Sequence, residues 1–266
     1  MRRIAILLAA VAAGAAALSP AISSVSSSAP PGNRPAYQLL QMNLCLSGQA
    51  GCYSSATHSS ILDEATEQIV DRDPAAVTIN EACRRDADEL ARRTGYELTF
   101  AGVAYGGTPL PCIEPRGRGL FGIAVLTKDD VRTSQDRAFA AQADPEERRW
   151  LCATTDESVT VCTAHLSTRD SSGESVANDA ECRELRSVLV RFMEDGTTLF
   201  GGDVNRQSPC APTTMWSVRD TSASQSAGVQ HIYGSGSVED WSTSVAEATY
   251  TDHDFLLVGT TGAPTR

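Results

Sequence analysis

The chain has 266 residues, of which 41% are hydrophobic, and carries a formal net charge of −11. Its length fits one large core, and its acidity disfavours a role in packaging duplex nucleic acid, because such proteins present a basic surface. The same acidity is compatible with an enzyme that turns over polyanions with the help of a cation.

The N-terminal segment is typical of exported proteins. Arg2 and Arg3 precede a short, alanine-rich apolar run and a Ser-Pro-Ala sequence, so residues 1–21 are predicted to be a cleaved signal peptide. A transmembrane anchor is the competing interpretation, which the shortness of the run disfavours. Residues 22–35, rich in Ser, Pro and Gly, predict a flexible lead-in to a single domain at 36–266, which we expect to be secreted and extracellular.

Eight cysteines in an exported chain favour disulfides over a metal cluster, and no Cys/His spacing typical of zinc is present. The expected pairs are Cys45–Cys52, Cys152–Cys162, Cys83–Cys112 and Cys182–Cys210. The first pair would close a small loop and the second would join two strands of a hairpin. The last two follow by elimination, and other connectivities stay open.

The first half of the domain predicts alternating strands and helices. Short apolar runs alternate with stretches of helical periodicity, which end at Pro74 and Gly95. The predicted elements are a strand at 37–42, a helix at 57–71, a strand at 75–80, a helix at 84–94 and a strand at 96–103.

After a loop rich in Gly and Pro at 104–119, strands follow one another closely, as in antiparallel hairpins. They are predicted at 120–127, 131–139, 148–155 and 158–165, followed by a helix at 175–194 and strands at 197–201, 231–235 and 255–259. Helices interspersed with both kinds of strand favour an α/β (α+β) fold. We expect a four-layer sandwich, in which two mixed β-sheets pack face to face and are flanked by helices.

Polar residues follow several of the buried strands. Asp203 and Asn205 come after the strand at 197–201 at a spacing of two, so both side chains are expected to point the same way. A carboxylate beside an amide could hold a water and a phosphoryl oxygen. Taken alone, the motif is more often an Asx turn that ends a strand.

Three oxygen-bearing side chains predict a cation site. Asn43 and Glu81 end apolar strands, and Asp252 lies in the last polar cluster of the chain. Each alone is more often a loop residue or a helix cap. Together they offer the hard oxygen ligands that suit Mg²⁺ or Mn²⁺, which we therefore expect as the cofactor.

Two of the four histidines, His165 and His253, lie at strand ends near these polar residues. Imidazole transfers protons near neutral pH, so both are candidate catalytic groups. The other two are interpreted as a surface residue, His58, and a structural residue, His231.

Six short motifs occur in one order along the domain. They are Met42-Asn43, Asn80-Glu81, the run from Gly119 to Leu126, Thr163-Ala-His-Leu166, Gly202-Asp-Val-Asn205 and Thr251-Asp-His253. Each is weak alone, but the ordered set resembles the endonuclease/exonuclease/phosphatase superfamily. The resemblance implies that superfamily's fold and a metal-dependent phosphoric ester hydrolase.

The resemblance also implies a role for each residue of the set. Glu81, with Asn43 and Asp252, would hold the cation; His253 would be the general base or stabilise the attacked phosphoryl group; Asp203 would orient the attacking water, Asn205 a non-bridging oxygen, and His165 would donate a hydrogen bond to the phosphate. No covalent intermediate is expected.

One position departs from the family pattern. Gln230 stands where the family usually has an Asp that orients the last histidine. An amide supports an imidazolium less well than a carboxylate does, so His253 is expected to be a weaker base. Glu239 or Asp240 could substitute for that Asp from the following loop.

The substrate is less sharply indicated than the chemistry. Arg118 and Arg149 lie near the motifs and are candidates for substrate binding, as Arg116 and Arg148 are, although solvated arginines fit these positions equally well. Export, disulfides and acidity favour a secreted, DNase-like nuclease that is monomeric, binds nucleic acid transiently and has no stable membrane insertion. The alternatives are a phosphomonoesterase or sphingomyelinase-like phospholipase C hydrolase, and a binding protein that keeps the fold with reduced or no catalysis.

Overall fold

The structure, a computed structural model, begins its description at the first predicted strand. The described residues are 37–48, 58–143, 145–169, 175–236 and 240–261. The predicted signal peptide and lead-in lie outside them, and so does the Cys45–Cys52 pair, because Cys52 does. The described residues fall within one unit of the chain, Asn33–Arg266, while the predicted domain bounds stay a prediction.

The first part of the described chain alternates strands and helices, as the apolar pattern predicts. The elements are β1 (Tyr37–Asn43), α1 (His58–Arg72), β2 (Ala76–Cys83), α2 (Arg84–Thr94) and β3 (Glu97–Gly102). Helix α2 ends at Gly95, whose φ of 78° is a left-handed geometry that glycine adopts without steric cost. Among the described helices, none is long and apolar enough to cross a membrane.

The remainder of the described chain consists mostly of strands. These elements are β4 (Ala104–Tyr105), β5 (Thr108–Pro109), β6 (Phe121–Thr127), β7 (Val131–Ala138), β8 (Arg149–Thr155), β9 (Val159–His165), α3 (Val176–Met193), β10 (Thr197–Asp203), β11 (Trp216–Arg219), β12 (Gln230–Gly234), β13 (Asp240–Ala246) and β14 (Phe255–Thr261). The sequence did not predict β4, β5, β11 or β13. These strands are short or polar, so they carry little apolar periodicity.

Two six-stranded sheets form the centre of the structure. The first has the order β13-β14-β1-β2-β6-β3, and the second has the order β11-β12-β10-β9-β8-β7. One central pair in each sheet is parallel, β1 with β2 and β9 with β10. The chain passes from one sheet to the other between β6 and β7, so the predicted series of hairpins is wrong at that point. Strand β6 pairs instead with β2 and β3.

Three apolar layers show that the sheets pack face to face with helices outside. Residues of the first sheet, such as Leu40, pack against Ile61 of α1 and Leu90 of α2. The second sheet packs on α3 through contacts that include Phe200 and Leu185. The layer between the sheets draws residues from both, such as Leu39, Val125, Val161 and Leu199. The predicted four-layer sandwich is therefore confirmed.

Three of the predicted disulfides are confirmed. They are Cys83–Cys112, Cys152–Cys162 and Cys182–Cys210. The second joins register partners on the neighbouring strands β8 and β9, as a hairpin pairing requires. The third ties helix α3 to the segment after β10.

The two parallel pairs end at the same edge of the sandwich. Asn43 at the end of β1 is the register partner of Asn80 in β2, and His165 at the end of β9 is the partner of Asp203 in β10. The Asn43 side chain reaches that of Asp203 across the two sheets. The polar residues that follow these strands are thereby brought together.

Candidate active site

A cavity of about 380 Å³ opens at this edge of the sandwich. Six of the residues predicted for the site line it: Glu81, His165, Asp203, Asn205, Asp252 and His253. Asn43 is fully buried and contacts two of them. The structure thus brings together all the residues predicted for catalysis and cation binding, whose roles stay predictions.

Asn43 connects the two sheets beneath the cavity. Its amide nitrogen donates to Glu81 Oε1 at 3.0 Å and to Asp203 Oδ2 at 3.1 Å. Its amide oxygen accepts from the backbone N–H of Cys45 at 3.1 Å, and this contact fixes which way the amide points. In this structure Asn43 is therefore a hydrogen-bond donor to two carboxylates of the site.

Glu81 leaves the regular strand at a β-bulge. The register between β2 and β6 shifts at this point, and Glu81 has a φ of 54°, which is unusual for a residue other than glycine. Burial raises the pKa of Glu81 to about 7; the hydrogen bond from Asn43 opposes the rise, and the negative charges of Asp252 and Asp203 add to it. The carboxylates of the site are therefore close enough for their negative charges to repel one another.

Asp203 is held on every side at the end of β10, where it is 1% exposed. Its backbone N–H donates to Asn80 Oδ1 at 2.7 Å, and its Oδ1 accepts from the backbone N–H of Asn205 at 2.9 Å. Its Oδ2 accepts from Asn43 and lies 3.6 Å from His253 Nε2. Both carboxylate oxygens are therefore fixed, and one faces an imidazole.

His165 lies between a cation and an amide. Its Nδ1 is 3.1 Å from Arg148 Nη1, and its Nε2 is 3.2 Å from Asn205 Nδ2 and 3.9 Å from Asp203 Oδ2. Burial, followed by the positive charges of Arg148 and His253, lowers the pKa of His165 well below its usual value. The ring is consequently neutral near pH 7.

His253 presents one ring nitrogen to the carboxylates. Its Nε2 lies 3.6 Å from Asp203 Oδ2 and 3.9 Å from Asp252 Oδ1. Its Nδ1 is buried and has no hydrogen-bond partner among the described residues. The following residue anchors the loop, because Asp254 Oδ2 accepts from the backbone N–H of Ser224 at 2.5 Å and from its hydroxyl at 2.9 Å.

No protein-family model matches the sequence, and no curated protein matches it with significance. Solved structures do match. A mannosyl-6-phosphatase from Bacteroides thetaiotaomicron has a TM-score of 0.62 at 11% identity, covering 85% of this chain and all of that one (100%). An endonuclease/exonuclease/phosphatase from Bacteroides vulgatus has a TM-score of 0.61 at 13% identity, covering 84% and 98%. TDP2 from D. rerio, complexed with a single strand DNA product, has a TM-score of 0.60 at 13% identity, covering 85% and 99%. The chain has the endonuclease/exonuclease/phosphatase fold.

Within the endonuclease/exonuclease/phosphatase fold, Gln230 is part of a network between the sheets. Its Nε2 donates to the carbonyl of Asp254, and its Oε1 accepts from Gln41 Nε2 at 3.2 Å. Neither hydrogen bond involves the His253 ring, whose Nδ1 has no partner in the described part of the chain. Gln230 therefore does not take over the task of the family's Asp. Of the suggested substitutes, Glu239 lies outside the described residues, and Asp240 is described only as the first backbone position of β13.

Of the four arginines named as candidates for substrate binding, only Arg148 is among the residues that line the cavity. Arg118 is buried, and its Nη1 lies 2.5 Å from Asp86 Oδ2. Arg149 pairs with Asp136 at 2.8 Å. The geometry gives the predicted role of these two arginines no support, and the arginine that does line the cavity is Arg148.

Arg148 was one of the four candidate arginines, and sequence alone does not show which of the neighbours Arg148 and Arg149 faces the site. Another residue of the cavity, Tyr105, was not predicted from the sequence. Tyr105 lies on the hairpin of β4 and β5, whose tip residues Gly106 and Gly107 have φ values of 56° and 79°. The Gly-Gly pair is the signal that could have predicted this turn.

Proposed function

We propose that the protein is a secreted, metal-dependent nuclease that hydrolyses phosphodiester bonds by direct attack of water. The observation that carries the proposal is the convergence of Asp203, His253, His165 and Asn205 on one cavity. A fixed carboxylate, two imidazoles and an amide supply the proton-transfer groups and hydrogen-bond donors that this reaction needs. The fold shared with a phosphatase and with TDP2 supports a phosphoester hydrolase in general.

The donor set fits a divalent cation, which Glu81 and Asp252 would hold with Asn43 beside them. The raised pKa of Glu81 arises in part from neighbouring negative charge, which a cation would offset. In the described part of the chain, no three His, Cys, Asp or Glu side chains could hold a metal by themselves. Oxygens of water and substrate would complete the ligand set, because the Asn43 amide oxygen accepts from the Cys45 N–H. When bound, Mg²⁺ or Mn²⁺ neutralises the phosphate and stabilises charge on the leaving oxygen.

Asp203 and His253 would prepare the attacking water. Asp203 Oδ2 and His253 Nε2 are 3.6 Å apart, so a single water can hydrogen-bond to both. Asp203 would orient that water, because the N–H groups of Asn43 and Asn205 fix its carboxylate. His253 would accept the proton of the water at Nε2 as it attacks phosphorus.

His165 and Asn205 would bind a non-bridging oxygen of the attacked phosphate. Their side-chain nitrogens are 3.2 Å apart at the wall of the cavity. The Asn205 amide also donates to the carbonyl of Leu166 at 2.9 Å, which fixes the amide in place. Donors that are held before the substrate arrives stabilise the charge that develops in the transition state without having to reorganise.

The nucleic-acid part of the proposal rests on the apolar side of the same cavity. Tyr105 is 51% exposed and lines the cavity together with Leu110 and Phe121. An exposed tyrosine beside a phosphate site can stack on a nucleobase, a contact worth about 1–3 kcal/mol per base. The single strand DNA product bound by TDP2, on the same fold, supports this choice of substrate.

A binding protein with reduced catalysis is the second candidate. The observation in its favour is the His253 Nδ1, which is buried without a hydrogen-bond partner among the described residues. An imidazole without a carboxylate on its second nitrogen is a weaker base, because the imidazolium that it forms is less well stabilised.

The proposal is tested by assaying purified mature protein with Mg²⁺, Mn²⁺ or EDTA on single-stranded DNA, plasmid, RNA, sphingomyelin and a sugar phosphate. We expect cation-dependent cleavage of the nucleic acids, lost in Asp203→Asn and kept in Asp71→Asn, a matched change on the exposed surface of α1. Release of inorganic phosphate alone would make the protein a phosphomonoesterase. Tight substrate binding by folded protein without turnover would make it a binding protein.

Export and oligomeric state belong to the same proposal. Three disulfides within the described residues are consistent with an oxidising compartment. We expect the protein in the culture medium, shortened by its N-terminal segment, and eluting as a monomer in size-exclusion chromatography with light scattering. Recovery of the full-length chain from the cell pellet alone would contradict export.

A further inference from the structure

Arg148 contacts His165 in a way that determines the position of the imidazole proton. Arg148 is 6% exposed, and its Nη1 lies 3.1 Å from His165 Nδ1 and 2.8 Å from Glu146 Oε1. A guanidinium carries only N–H donors and stays protonated in proteins. The Asn205 amide nitrogen is likewise a donor towards Nε2, but it is neutral, and a charged donor makes the stronger hydrogen bond. His165 Nδ1 is therefore assigned as the acceptor from Arg148, which leaves it without a proton of its own.

The neutral ring then carries its proton on Nε2, the nitrogen that faces the cavity. Asn205 Nδ2 lies 3.2 Å from this nitrogen, and Asn205 also donates to the carbonyl of Leu166 at 2.9 Å. Two N–H donors consequently face each other with no acceptor between them. A phosphoryl oxygen at this point accepts a hydrogen bond from each.

We propose that Arg148 is a positioning residue that fixes His165 as a hydrogen-bond donor to the substrate phosphate. Without the guanidinium, the ring can carry its proton on Nδ1 instead, and Nε2 then accepts from Asn205. When Asn205 donates to His165 Nε2 in this way, neither side chain offers an N–H to the phosphate. The claim that His165 binds a phosphate rests on the proposed function, whereas the position of the imidazole proton does not.

The surroundings of Arg148 hold it in place for this task. The side chain of Gln142 brackets its backbone, because Gln142 Oε1 accepts from the Arg148 N–H at 2.7 Å and Gln142 Nε2 donates to its carbonyl at 2.9 Å. The N–H of Phe139 donates to the same carbonyl at 2.9 Å. Glu146 fixes the guanidinium through the ion pair. The arginine is thus fixed at its backbone and at its charged end.

The proton position is tested in metal-free protein without substrate, by nitrogen-15 NMR of the histidine rings. The sequence has four histidines, and the resonance missing in His165→Gln assigns the one in question. We expect protonation at Nε2 in the wild type and in Arg148→Lys, which keeps a donor. In Arg148→Met we expect a shift towards protonation at Nδ1. Protonation at Nε2 in folded Arg148→Met to the same extent as in wild type would overturn the proposal.

Kinetics test whether the effect acts through His165. We expect Arg148→Met to lower kcat by about 10²-fold, the scale of one lost hydrogen-bond donor in the transition state, and Arg148→Lys to recover part of the loss. The double variant with His165→Gln should be no slower than His165→Gln alone, because both changes remove the same donor. Additive losses would overturn the proposal. The control is Arg137→Met, an exposed arginine of β7.

The two experiments separate this proposal from the proposed function. If the wild type hydrolyses no phosphoester while the ring proton moves in Arg148→Met, the proposed function fails and the positioning role stands. If Arg148→Met does not fold, Glu146→Gln replaces it. This variant keeps the arginine and loosens it, so the population protonated at Nδ1 should rise. If the fraction of His165 protonated at Nδ1 is the same in Glu146→Gln as in wild type, that result would count against the proposal.

Discussion

The backbone N–H of Asp203 donates to the side-chain oxygen of Asn80 at 2.7 Å, a hydrogen bond that crosses from the second sheet to the first. The same oxygen accepts from Gln41 Nε2 at 2.8 Å, and the Asn80 amide nitrogen donates to the carbonyl of Ala164 at 3.2 Å. One buried amide therefore fixes the ends of both β9 and β10. The edge of the second sheet that lines the cavity is therefore positioned by a residue of the first.

Replacing Asn80 should loosen this edge. In Asn80→Leu, the N–H of Asp203 and the carbonyl of Ala164 lose their partner inside the sandwich, and each buried unsatisfied group costs about 1–3 kcal/mol. We expect the free energy of unfolding, measured with urea, to fall by about 2–4 kcal/mol. Thr133→Val, a change on the exposed edge strand β7, is the control. Equal midpoints for Asn80→Leu and wild type would contradict this account.

Gln230→Asp should not restore a catalytic carboxylate. Gln230 donates to the carbonyl of Asp254 and accepts from Gln41, so the variant loses a donor and sets a negative charge beside that carbonyl. We expect no gain in kcat and a fall of about 1–3 kcal/mol in the free energy of unfolding. A clear rise in kcat would instead show that the new carboxylate reaches His253 Nδ1.

The sequence predicted the main set of site residues because the end of an apolar strand can be recognised from the sequence. Asn43, His165 and Asp203 each follow an apolar run, and the parallel pairs bring those ends to one edge. The hairpin that carries Tyr105 has strands of only two residues, and β13 exposes serine and threonine, so neither has an apolar period to detect.

The network around Gln230 and the choice between Arg148 and Arg149 could not be predicted either. A family pattern gives the position of a residue, but the direction of its side chain depends on contacts across the sandwich, here with Gln41 and Asp254. Likewise, the left-handed φ of Glu81 and the bulge that contains it are properties of the paired strands and leave no local sequence signal.

Glu81 should make metal-free protein less stable as pH rises. Its pKa is about 7 in the folded chain against an ordinary value of 4.5, so its contribution to stability is fully present below pH 4.5 and is lost as pH rises through 7. We expect the free energy of unfolding of wild type in EDTA to fall by about 2 kcal/mol relative to Glu81→Gln over that range, an amount moderated by the partial exposure of Glu81. Added Mg²⁺ or Mn²⁺ should reverse the fall.

The control for this measurement is Glu67→Gln, an exposed position of α1, which should follow the wild type at every pH. Urea titrations at pH 4, 5, 6, 7 and 8, read as differences between variants, cancel the titration of groups that do not interact with Glu81. Parallel curves for wild type and Glu81→Gln would show that the Glu81 carboxyl keeps its ordinary pKa in the folded chain.

His253→Gln should lower kcat by about 10²-fold or more, the scale of a lost acid–base group. His253 Nε2 is the ring nitrogen that lies 3.6 Å from Asp203 Oδ2, and glutamine offers no base at that point. The substrate KM should change far less, because proton transfer belongs to the transition state. His58→Gln is the control, since His58 pairs with Asp86 and does not line the cavity. Near-normal turnover by His253→Gln would place the base elsewhere.

Asn178 of α3 holds the two loops that follow β9 and β10, next to His165 and Asn205. Its amide nitrogen donates to the carbonyls of Ser167 at 2.6 Å and Val204 at 2.9 Å. In Asn178→Leu both carbonyls lose this donor in a buried position, so we expect a loss of about 1–3 kcal/mol in the free energy of unfolding and a fall in kcat.

Hydrogen exchange should show where the loss of these two hydrogen bonds acts. In Asn178→Leu we expect faster exchange at 166–169 and 204–206, the loops that follow β9 and β10, while the exchange of β1 and β2 stays as in wild type. Asn178→Asp should be at least as damaging, because a carboxylate then faces the two carbonyls. Arg183→Met, on the exposed face of α3, is the matched control. Uniformly faster exchange across both sheets would mean that Asn178 supports the whole fold and has no special part in holding the catalytic loops.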